Sequence, residues 1–97
     1  NVNGPTDGGR TPLMYATTCA SARLLLEAGA APNAVDLEGA TPLIWFCKGH
    51  ANKSQANSYI TLLLNHSADA RIADDSGKTA FDYASGKYDD EVIDLLR

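Results

Sequence analysis

Few residues of this chain have the types and spacings that enzymatic chemistry requires. The run Gly77-Lys78-Thr79 has the form of the end of a phosphate-binding loop, in which backbone N–H groups and a lysine hold phosphate oxygens. That loop also needs a glycine five residues before Gly77, and Ile72 stands there. The sequence therefore does not predict a nucleotide site.

Residues that could bind a metal or act in catalysis are equally few. Cys47, His50 and His66 have ligand chemistry but lack a fourth partner at any usual zinc spacing. The acidic run 89–91 stands at a predicted helix start, where carboxylates suit the helix dipole without a metal. Neither histidine has a nucleophile at a recognisable spacing, so no acyl-transfer or acid–base centre is indicated. We therefore expect no enzyme activity, no cofactor and no metal site.

Composition and charge narrow the class of protein further. The chain has 97 residues, of which 44% are hydrophobic and 21% charged, which suits one small folded domain. A formal net charge of −4 argues against a nucleic-acid partner, because nucleic-acid binding needs a basic surface. No apolar run approaches the roughly 18 residues of a membrane helix, so membrane insertion is not expected. Cys19 and Cys47 are the only cysteines and are predicted to be reduced, which indicates a cytoplasmic or nuclear protein.

An eight-residue stretch occurs three times and organises the rest of the chain. Its copies are residues 6–13, 36–43 and 74–81. In the second copy, Asp36 to Gly39 has the pattern of a type I turn, and Thr41-Pro42 has the pattern of a helix start. The stretch therefore predicts a hairpin-like turn, here called a finger, followed at once by a helix.

Each finger is predicted to be followed by two helices, whose ends are marked by glycines and polar residues. The predicted helices cover residues 11–17, 20–28, 41–48, 55–65, 79–85 and 89–97. Gly49 is expected to end the third of these helices. The polar run His50–Ser54 is expected to form a solvent-facing loop after it.

The spacing of the repeated features predicts how the units stack. The steps from Leu24 to Thr41 and from Leu62 to Thr79 are both 17 residues, so all variation in length lies between the two helices of a unit. Length can vary in a loop that faces solvent, whereas the link that sets how one unit stacks on the next must stay constant. The pattern therefore predicts a solenoid of helix pairs.

The helix starts resemble the Thr-Pro-Leu-His-x-Ala signature of ankyrin repeats. The matching runs are residues 11–16, 41–43 and 79–84, and the run 24–30 resembles the second helix of such a repeat and its end. The resemblance covers nearly the whole chain. It implies an all-α ankyrin-repeat solenoid of stacked helix-turn-helix units joined by β-hairpin-like fingers.

We accordingly expect a single ankyrin-repeat domain over residues 1–97. Its units cover approximately residues 6–35, 36–73 and 74–97. The chain begins at Asn1 rather than at a methionine, which leaves open that it is a fragment of a longer chain.

The chain departs from the family pattern at several positions. Met14, Ile44 and Asp82 replace the histidine of the signature, which leaves open whether its side-chain hydrogen bond is kept. Phe46 stands where a small alanine is usual, and it predicts that the helices of the middle unit are splayed or shifted. Asp82 and Arg97 are polar where other units are apolar, as in a C-terminal capping repeat. The front shows no cap, so we expect a monomer or weak self-association through the uncapped N-terminal repeat.

Three aromatic residues occupy equivalent positions in the three units. Tyr15, Trp45 and Tyr83 each stand two residues after the first apolar position of a first helix. Equivalent positions in stacked repeats are neighbours, so the three side chains are expected to form a row, here called the aromatic row. The sequence leaves open whether this row fills the core between units or forms part of a binding surface.

The function implied by the resemblance is recognition of another protein through the concave face formed by fingers and first helices. The alternative is a regulatory or docking ankyrin segment of a larger enzyme whose catalytic domain lies outside this chain. Asn33 has the context of ankyrin asparagines that are hydroxylated, although an ordinary turn asparagine is favoured. The candidate partner-binding residues are Arg10, Tyr15, Leu37, Glu38, Ala40, Trp45, Asp75, Ser76 and Lys78.

Overall fold

The described part of the chain folds into short α-helices arranged in pairs. The structure is a computed structural model that describes residues 9–16, 18–50, 55–85, 88 and 90–96. Its helices are α1 (Pro12–Tyr15), α2 (Cys19–Glu27), α3 (Pro42–Trp45), α4 (Ala56–Asn65), α5 (Ala80–Ala84) and α6 (Asp90–Leu95). These ranges contain no strand, which confirms the all-α prediction.

The first helix of each unit begins at the predicted threonine. Thr41 Oγ1 accepts a hydrogen bond from the N–H of Ile44 at 3.2 Å, and Pro42 occupies the first helical position. In the third unit, the Thr79 N–H donates to Asp82 Oδ2 at 2.9 Å, and the Asp82 N–H donates to Thr79 Oγ1 at 3.4 Å. Asp82 therefore retains a polar cap at the helix start, whereas the apolar Ile44 cannot supply one.

The helices form two layers with the hydrophobic core between them. Helices α1, α3 and α5 pack side by side in one layer, while α2, α4 and α6 pack side by side in the other. Leu13, Leu43, Ile60 and Leu63 are each at most 1% exposed and lie in this core. Because each helix buries one face against the other layer and its sides against its neighbours, the stack stabilises itself unit by unit.

The middle unit differs from its neighbours at Phe46. Its ring is 3% exposed and occupies the position that alanine holds in the other units, at Ala16 and Ala84. It lies 4.1 Å from the ring of Tyr59 at an interplanar angle of 11°, and 6.1 Å from the ring of Tyr88. From this residue onward the helix widens into a π-helical segment.

The π-helical segment corrects one predicted boundary. It runs over Phe46–His50, so Gly49 lies within a helical segment and does not end it. A π-helical turn takes up one extra residue, and such turns occur mostly as single-turn bulges in α-helices. Residues 51–54 of the predicted loop lie outside the described residues, as do Arg97 and the first finger up to Gly8.

Side-chain hydrogen bonds join the two links between units. The Asn33 amide Nδ2 donates to the carbonyl of Ser67 at 3.0 Å, and Asn33 Oδ1 accepts from the Asp69 N–H at 2.7 Å. Asn33 in the first link therefore holds the backbone of the second. This accounts for an asparagine at position 33, and it gives a physical reason for the constant length of the links.

Candidate partner-binding surface

The second finger is a tight turn closed by Asp36. The Gly39 N–H donates to the Asp36 carbonyl, and the Asp36 N–H donates to the Ala40 carbonyl, both at 3.0 Å. Gly39 has a φ of +79°, which a residue without a Cβ adopts at little cost. The Asp36 carboxylate Oδ1 accepts from the N–H groups of Glu38 at 2.8 Å and Ala40 at 2.9 Å. The turn is thus fixed from within by its first residue.

The third finger repeats this arrangement residue for residue. The Asp74 N–H donates to the Lys78 carbonyl at 2.9 Å, and Gly77 has a φ of +78°. Asp74 Oδ1 accepts from the N–H groups of Ser76 at 2.9 Å and Lys78 at 3.1 Å. Two fingers of different sequence therefore have the same framework, and their remaining side chains are free to differ.

The second oxygen of each turn aspartate binds a side chain of the aromatic row. The Trp45 indole Nε1 donates to Asp36 Oδ2 at 3.0 Å, and the Tyr83 hydroxyl donates to Asp74 Oδ2. These bonds join each finger to the first helix of its own unit. The nine-residue spacing from aspartate to aromatic residue is the same in both units, and it is the sequence signal that could have revealed this connection.

The aromatic row lies partly against the core and partly at the surface. Trp45 and Tyr83 are half-buried and pack against the hydrophobic core. Tyr15 is 50% exposed, and its ring centre lies 6.0 Å from that of Trp45. The row is therefore partly exposed and lies next to the fingers, to which Trp45 and Tyr83 are hydrogen-bonded.

Positively charged side chains lie over the rings of the aromatic row. The guanidinium of Arg10 is 4.9 Å from the centre of the Trp45 ring. Lys48 Nζ is 6.0 Å from the Trp45 ring and 5.5 Å from the Tyr83 ring, and Lys78 Nζ is 5.7 Å from the Tyr83 ring. Lys48 was absent from the predicted site, because its approach to the row depends on the π-helical segment that contains it.

The fingers also contact one another. The Asp75 N–H donates to the Glu38 carbonyl at 2.9 Å, so the third finger is hydrogen-bonded to the second. A Cβ placed on Gly9 would lie 3.4 Å from Leu37 Cγ, and one placed on Gly39 would lie 2.8 Å from Asp75 Oδ1. Successive fingers therefore pack with the glycine of one against the following finger.

Most of the predicted partner-binding residues lie at or near the surface of this region. Leu37 is 77% exposed, and no other large hydrophobic side chain in the described ranges is more exposed. We call the region the finger surface; its half-buried members are Arg10 and Trp45, and its exposed members are Tyr15, Leu37, Glu38, Asp75, Ser76 and Lys78.

Ala40 is the one predicted partner-binding residue that is buried, so its side chain does not belong to the finger surface. Its side chain is 1% exposed. Ala40 closes the second finger through both its N–H and its carbonyl, so its short side chain stays beneath the turn. Lys78 holds the equivalent position in the third finger, and its longer side chain reaches the surface. Ala40 is therefore part of the framework.

Two grooves of the described residues lie away from the finger surface. One has a cavity volume of about 430 Å³ and is lined by Leu64, residues 67–71, Leu95 and Leu96. The other has a volume of about 290 Å³ and lies between α2 and α4, beside Arg23 and Leu62. Neither groove is lined by a residue of the finger surface.

The described ranges contain neither a metal site nor a membrane-spanning helix. No group of three or more His, Cys, Asp or Glu side chains there is placed to hold a metal ion. None of the helices described has the length and apolar character needed to cross a membrane.

Hydrogen bonds determine the ionisation of the turn aspartates. Burial opposes ionisation of Asp36, yet the bonds from the Ala40 N–H, the Trp45 indole and the Glu38 N–H hold its pKa below the usual value of 3.8. Arg10 adds to this effect through its charge. The folded state therefore favours the ionised carboxylate of Asp36 more than the unfolded state does.

Asp74 behaves in the same way through its tyrosine partner. The hydrogen bond from the Tyr83 hydroxyl is the main cause that holds the pKa of Asp74 below 3.8, with help from the Lys78 and Ser76 N–H groups. The same bond raises the pKa of Tyr83 to about 12. Both fingers are therefore stabilised by an ionised aspartate.

The fold is expected to lose stability in acid through these two residues. Since their folded pKa values lie below the unfolded ones, their contribution is complete above about pH 4 and declines as the pH falls through the folded values. We expect the double variant Asp36→Asn with Asp74→Asn to show a smaller loss of unfolding free energy between pH 5 and pH 2 than the original chain. Urea denaturation at each pH measures this. Glu27→Gln, which removes an exposed carboxylate on α2, should leave the loss unchanged, and an equal loss in the double variant would contradict the assignment.

Comparison with known proteins agrees with the repeat architecture. The family model described as "Ankyrin repeats (3 copies)" matches residues 18–97. The protein named "Ankyrin repeat and LEM domain-containing protein 1 homolog", from Caenorhabditis elegans, is 46% identical over 70 residues. The alignment covers 72% of this chain, and the chain spans 9% of that protein's length.

Proposed function

The chain belongs to the ankyrin repeat family, and from that membership we propose that it recognises another protein through its finger surface. Ankyrin repeats are generally protein–protein interaction modules and are typically non-catalytic. In this proposal the finger surface takes the place of the concave face predicted from the sequence. We infer a cytoplasmic or nuclear location, since proteins of this family are typically intracellular.

The observation that supports this proposal most strongly is that some residues of each finger fix the turn while others are exposed and differ between fingers. Asp36 and Asp74 fix two identical turn frameworks with the same set of hydrogen bonds. At the following corner, Leu37 in one finger corresponds to Asp75 in the other, and both are exposed. A fixed framework that displays variable side chains is what a recognition surface on a repeat scaffold requires. An exposed leucine at a turn corner adds apolar surface that is not buried in the core.

Site-specific photocrosslinking tests this proposal directly. A photoreactive phenylalanine analogue is introduced in place of Leu37 and, as a matched control, in place of Leu24 on α2. Both leucines are highly exposed, at 77% and 69%, so the two probes have similar access to solvent. We expect a discrete crosslinked partner from position 37 and none from position 24. Crosslinking to the same partner from position 24 alone would place the interface on the opposite layer and overturn the proposal.

Charge and polarity changes on the finger surface are expected to weaken partner binding. Leu37→Asp together with Lys78→Glu should raise the dissociation constant at least tenfold, or about 1.4 kcal/mol, while the fold is retained. The control is Arg23→Glu with Glu27→Lys, which changes two exposed residues of α2 and should have little effect. Titration calorimetry with the partner identified by crosslinking measures the dissociation constants of both variants. If the control abolishes binding while the finger variant binds normally, the assigned face is wrong.

A second candidate function follows from the length of the relative. The Caenorhabditis elegans protein contains the matching region within a much longer chain, since this chain spans 9% of its length. By analogy, we propose that this chain is a regulatory or docking segment of a larger protein; that the larger protein is an enzyme with its catalytic domain elsewhere stays a prediction. The intact mass of the natural protein distinguishes this candidate from a small free-standing binder. The mass of the folded protein in solution reports whether the chain is a monomer or associates weakly through its N-terminal repeat.

A further inference from the structure

The groove of about 430 Å³ lies at the second link, apart from the finger surface. Its lining comes from the end of α4, from the second link and from the end of α6, and consists of Leu64, residues 67–71, Leu95 and Leu96. The charged groups in this lining are Asp69 and Arg71, which form an ion pair at 3.2 Å. The groove, here called the link groove, therefore combines apolar side chains with one ion pair that has no net charge.

The first link (residues 29–35) shows how the matching place is covered in the preceding unit. The second link (residues 67–73) follows it with a constant offset of 38 residues, so Leu26 and Ala30 correspond to Leu64 and Ala68. Leu26 and Ala30 are buried, at 7% and 6% exposure, whereas Leu64 and Ala68 are partly exposed and line the link groove. The link groove therefore lies against the second link as the second link lies against the first.

The contact between the two links defines the kind of segment that such a place takes. Asn33 of the first link donates to the carbonyl of Ser67 at 3.0 Å and accepts from the N–H of Asp69 at 2.7 Å. One side chain thus binds a carbonyl and an N–H group two residues apart on a non-helical backbone. The residues between these two groups and just after them, Ala68 and Ala70, are small. The link groove continues this interface by one unit along the stack.

An ion pair stands in the second link where the first has Asn33. Arg71 corresponds to Asn33, and Asp69 corresponds to Ala31. Asp69 Oδ1 accepts from the Arg71 N–H at 2.9 Å and from Arg71 Nε at 3.2 Å. Among the described residues, Asp69 Oδ2 and the two terminal nitrogens of Arg71 make no hydrogen bond. An amide side chain both donates and accepts, and the pair offers the same two functions through two residues.

We propose that the link groove binds a non-helical segment of a partner protein that has small, uncharged side chains. In this complex Arg71 donates to a backbone carbonyl of the segment and Asp69 Oδ2 accepts from a backbone N–H, while Leu64 and Leu95 contact its side chains. The site is separate from the finger surface, so the inference goes beyond the proposed function. The volume of the groove falls within the roughly 300–1,000 Å³ of known ligand sites.

Two physical effects favour a backbone segment over a charged ligand. The carboxylate and the guanidinium oppose each other's charge, so an ionic ligand of either sign gains little net attraction. The two hydrogen bonds within the pair also hold both side chains in place, so less side-chain freedom is lost when the segment binds.

Peptide titration followed by NMR tests the proposal. A capped six-residue peptide of alternating alanine and serine is titrated against the folded chain. Its matched control has N-methyl groups at alternate residues, which remove backbone donors without changing charge. We expect the unmethylated peptide to bind about fivefold more tightly or better, consistent with one hydrogen bond, and to shift the amide resonances of residues 68–71. Equal binding of the two peptides, or shifts at residues 36–40 in place of 68–71, would overturn the proposal.

Paired variants separate the ion pair from the shape of the groove. Asp69→Ala with Arg71→Ala should weaken binding of the unmethylated peptide about fivefold or more. Asp69→Ala with Arg71→Asn installs the residues of the first link and should retain binding. Arg23→Ala, beside the groove between α2 and α4, should leave binding unchanged. Circular dichroism confirms that each variant is folded. Loss of binding in both double variants, or in neither, would contradict the assigned roles.

Two further measurements distinguish a partner protein from other occupants of the link groove. Shifts of residues 68–71 that depend on protein concentration without peptide would assign the groove to a second copy of the chain. Absence of peptide binding in the natural protein without a partner, when residues 1–97 alone bind the peptide, would show that the same protein covers the groove. Either result would overturn the proposal of a partner, and neither would affect the photocrosslinking test of the finger surface.

Discussion

Replacing Tyr59 with alanine is expected to lower the unfolding free energy by about 3–5 kcal/mol, a large share of the stability of a small domain. Tyr59 is 1% exposed, and its ring stacks on Phe46 at 4.1 Å. Its hydroxyl donates to the carbonyl of Ala16 at 2.6 Å, which connects α4 with the end of α1. The alanine variant loses the stacked ring, leaves a cavity between the two layers and strands a buried carbonyl. Urea denaturation followed by Trp45 fluorescence measures the change.

Tyr59→Phe separates the ring from the hydroxyl. The phenylalanine retains the stack on Phe46 but leaves the Ala16 carbonyl without its donor, so a loss of about 1–2 kcal/mol is expected. Burial also raises the pKa of the Tyr59 hydroxyl well above its usual value, so the hydroxyl keeps its proton and remains a donor at neutral pH. The assignment fails if the phenylalanine variant loses as much stability as the alanine variant. It also fails if the alanine variant loses less than about 2 kcal/mol.

The existence and order of the helices could be predicted because the sequence repeats the signals that start and end them. Thr41-Pro42 starts a helix in the structure as it does in the sequence pattern, and Gly29, with a φ of +99°, follows the end of α2. These signals act within a few residues, so they can be read without knowledge of the tertiary fold. The π-helical segment could not be read in this way. Its first residue, Phe46, packs on Tyr59 and Tyr88, which come from other parts of the chain and which a local pattern does not identify.

The finger surface could be predicted in outline for a similar reason. The exposure of Leu37 follows from its place at a turn corner, and the turn can be recognised from the local residue pattern. The burial of Ala40 depends on hydrogen bonds that close the turn, and the position of Lys48 depends on the widened helix. Ala40 and Lys48 were therefore missed, because burial within the turn and the π-helical segment are not indicated by the residue pattern, whereas the turn corner that exposes Leu37 is. Whether the predicted residues bind a partner stays a prediction.

The packing of one finger on the next gives the second large expected effect. Gly39 has a φ of +79°, and a Cβ at this position would lie 2.8 Å from Asp75 Oδ1 and 3.1 Å from the Asp75 nitrogen. That nitrogen donates to the Glu38 carbonyl at 2.9 Å, so the backbone of the third finger cannot move away without losing the bond between fingers. We expect Gly39→Ala to cost about 2–4 kcal/mol, combining the strain of a left-handed alanine with the steric conflict.

Gly77→Ala is the matched control, because it isolates the backbone strain. Gly77 has nearly the same φ, +78°, but a Cβ there would meet no atom of the described residues within 4 Å. Its substitution should cost only the strain, about 1–2 kcal/mol. Parallel urea denaturation of the two variants measures the difference, which reports the contact between fingers alone. Equal losses would mean that the second and third fingers do not pack as the structure describes. A larger loss for Gly39→Ala would show that the fingers stabilise the stack of units as well as displaying its variable side chains.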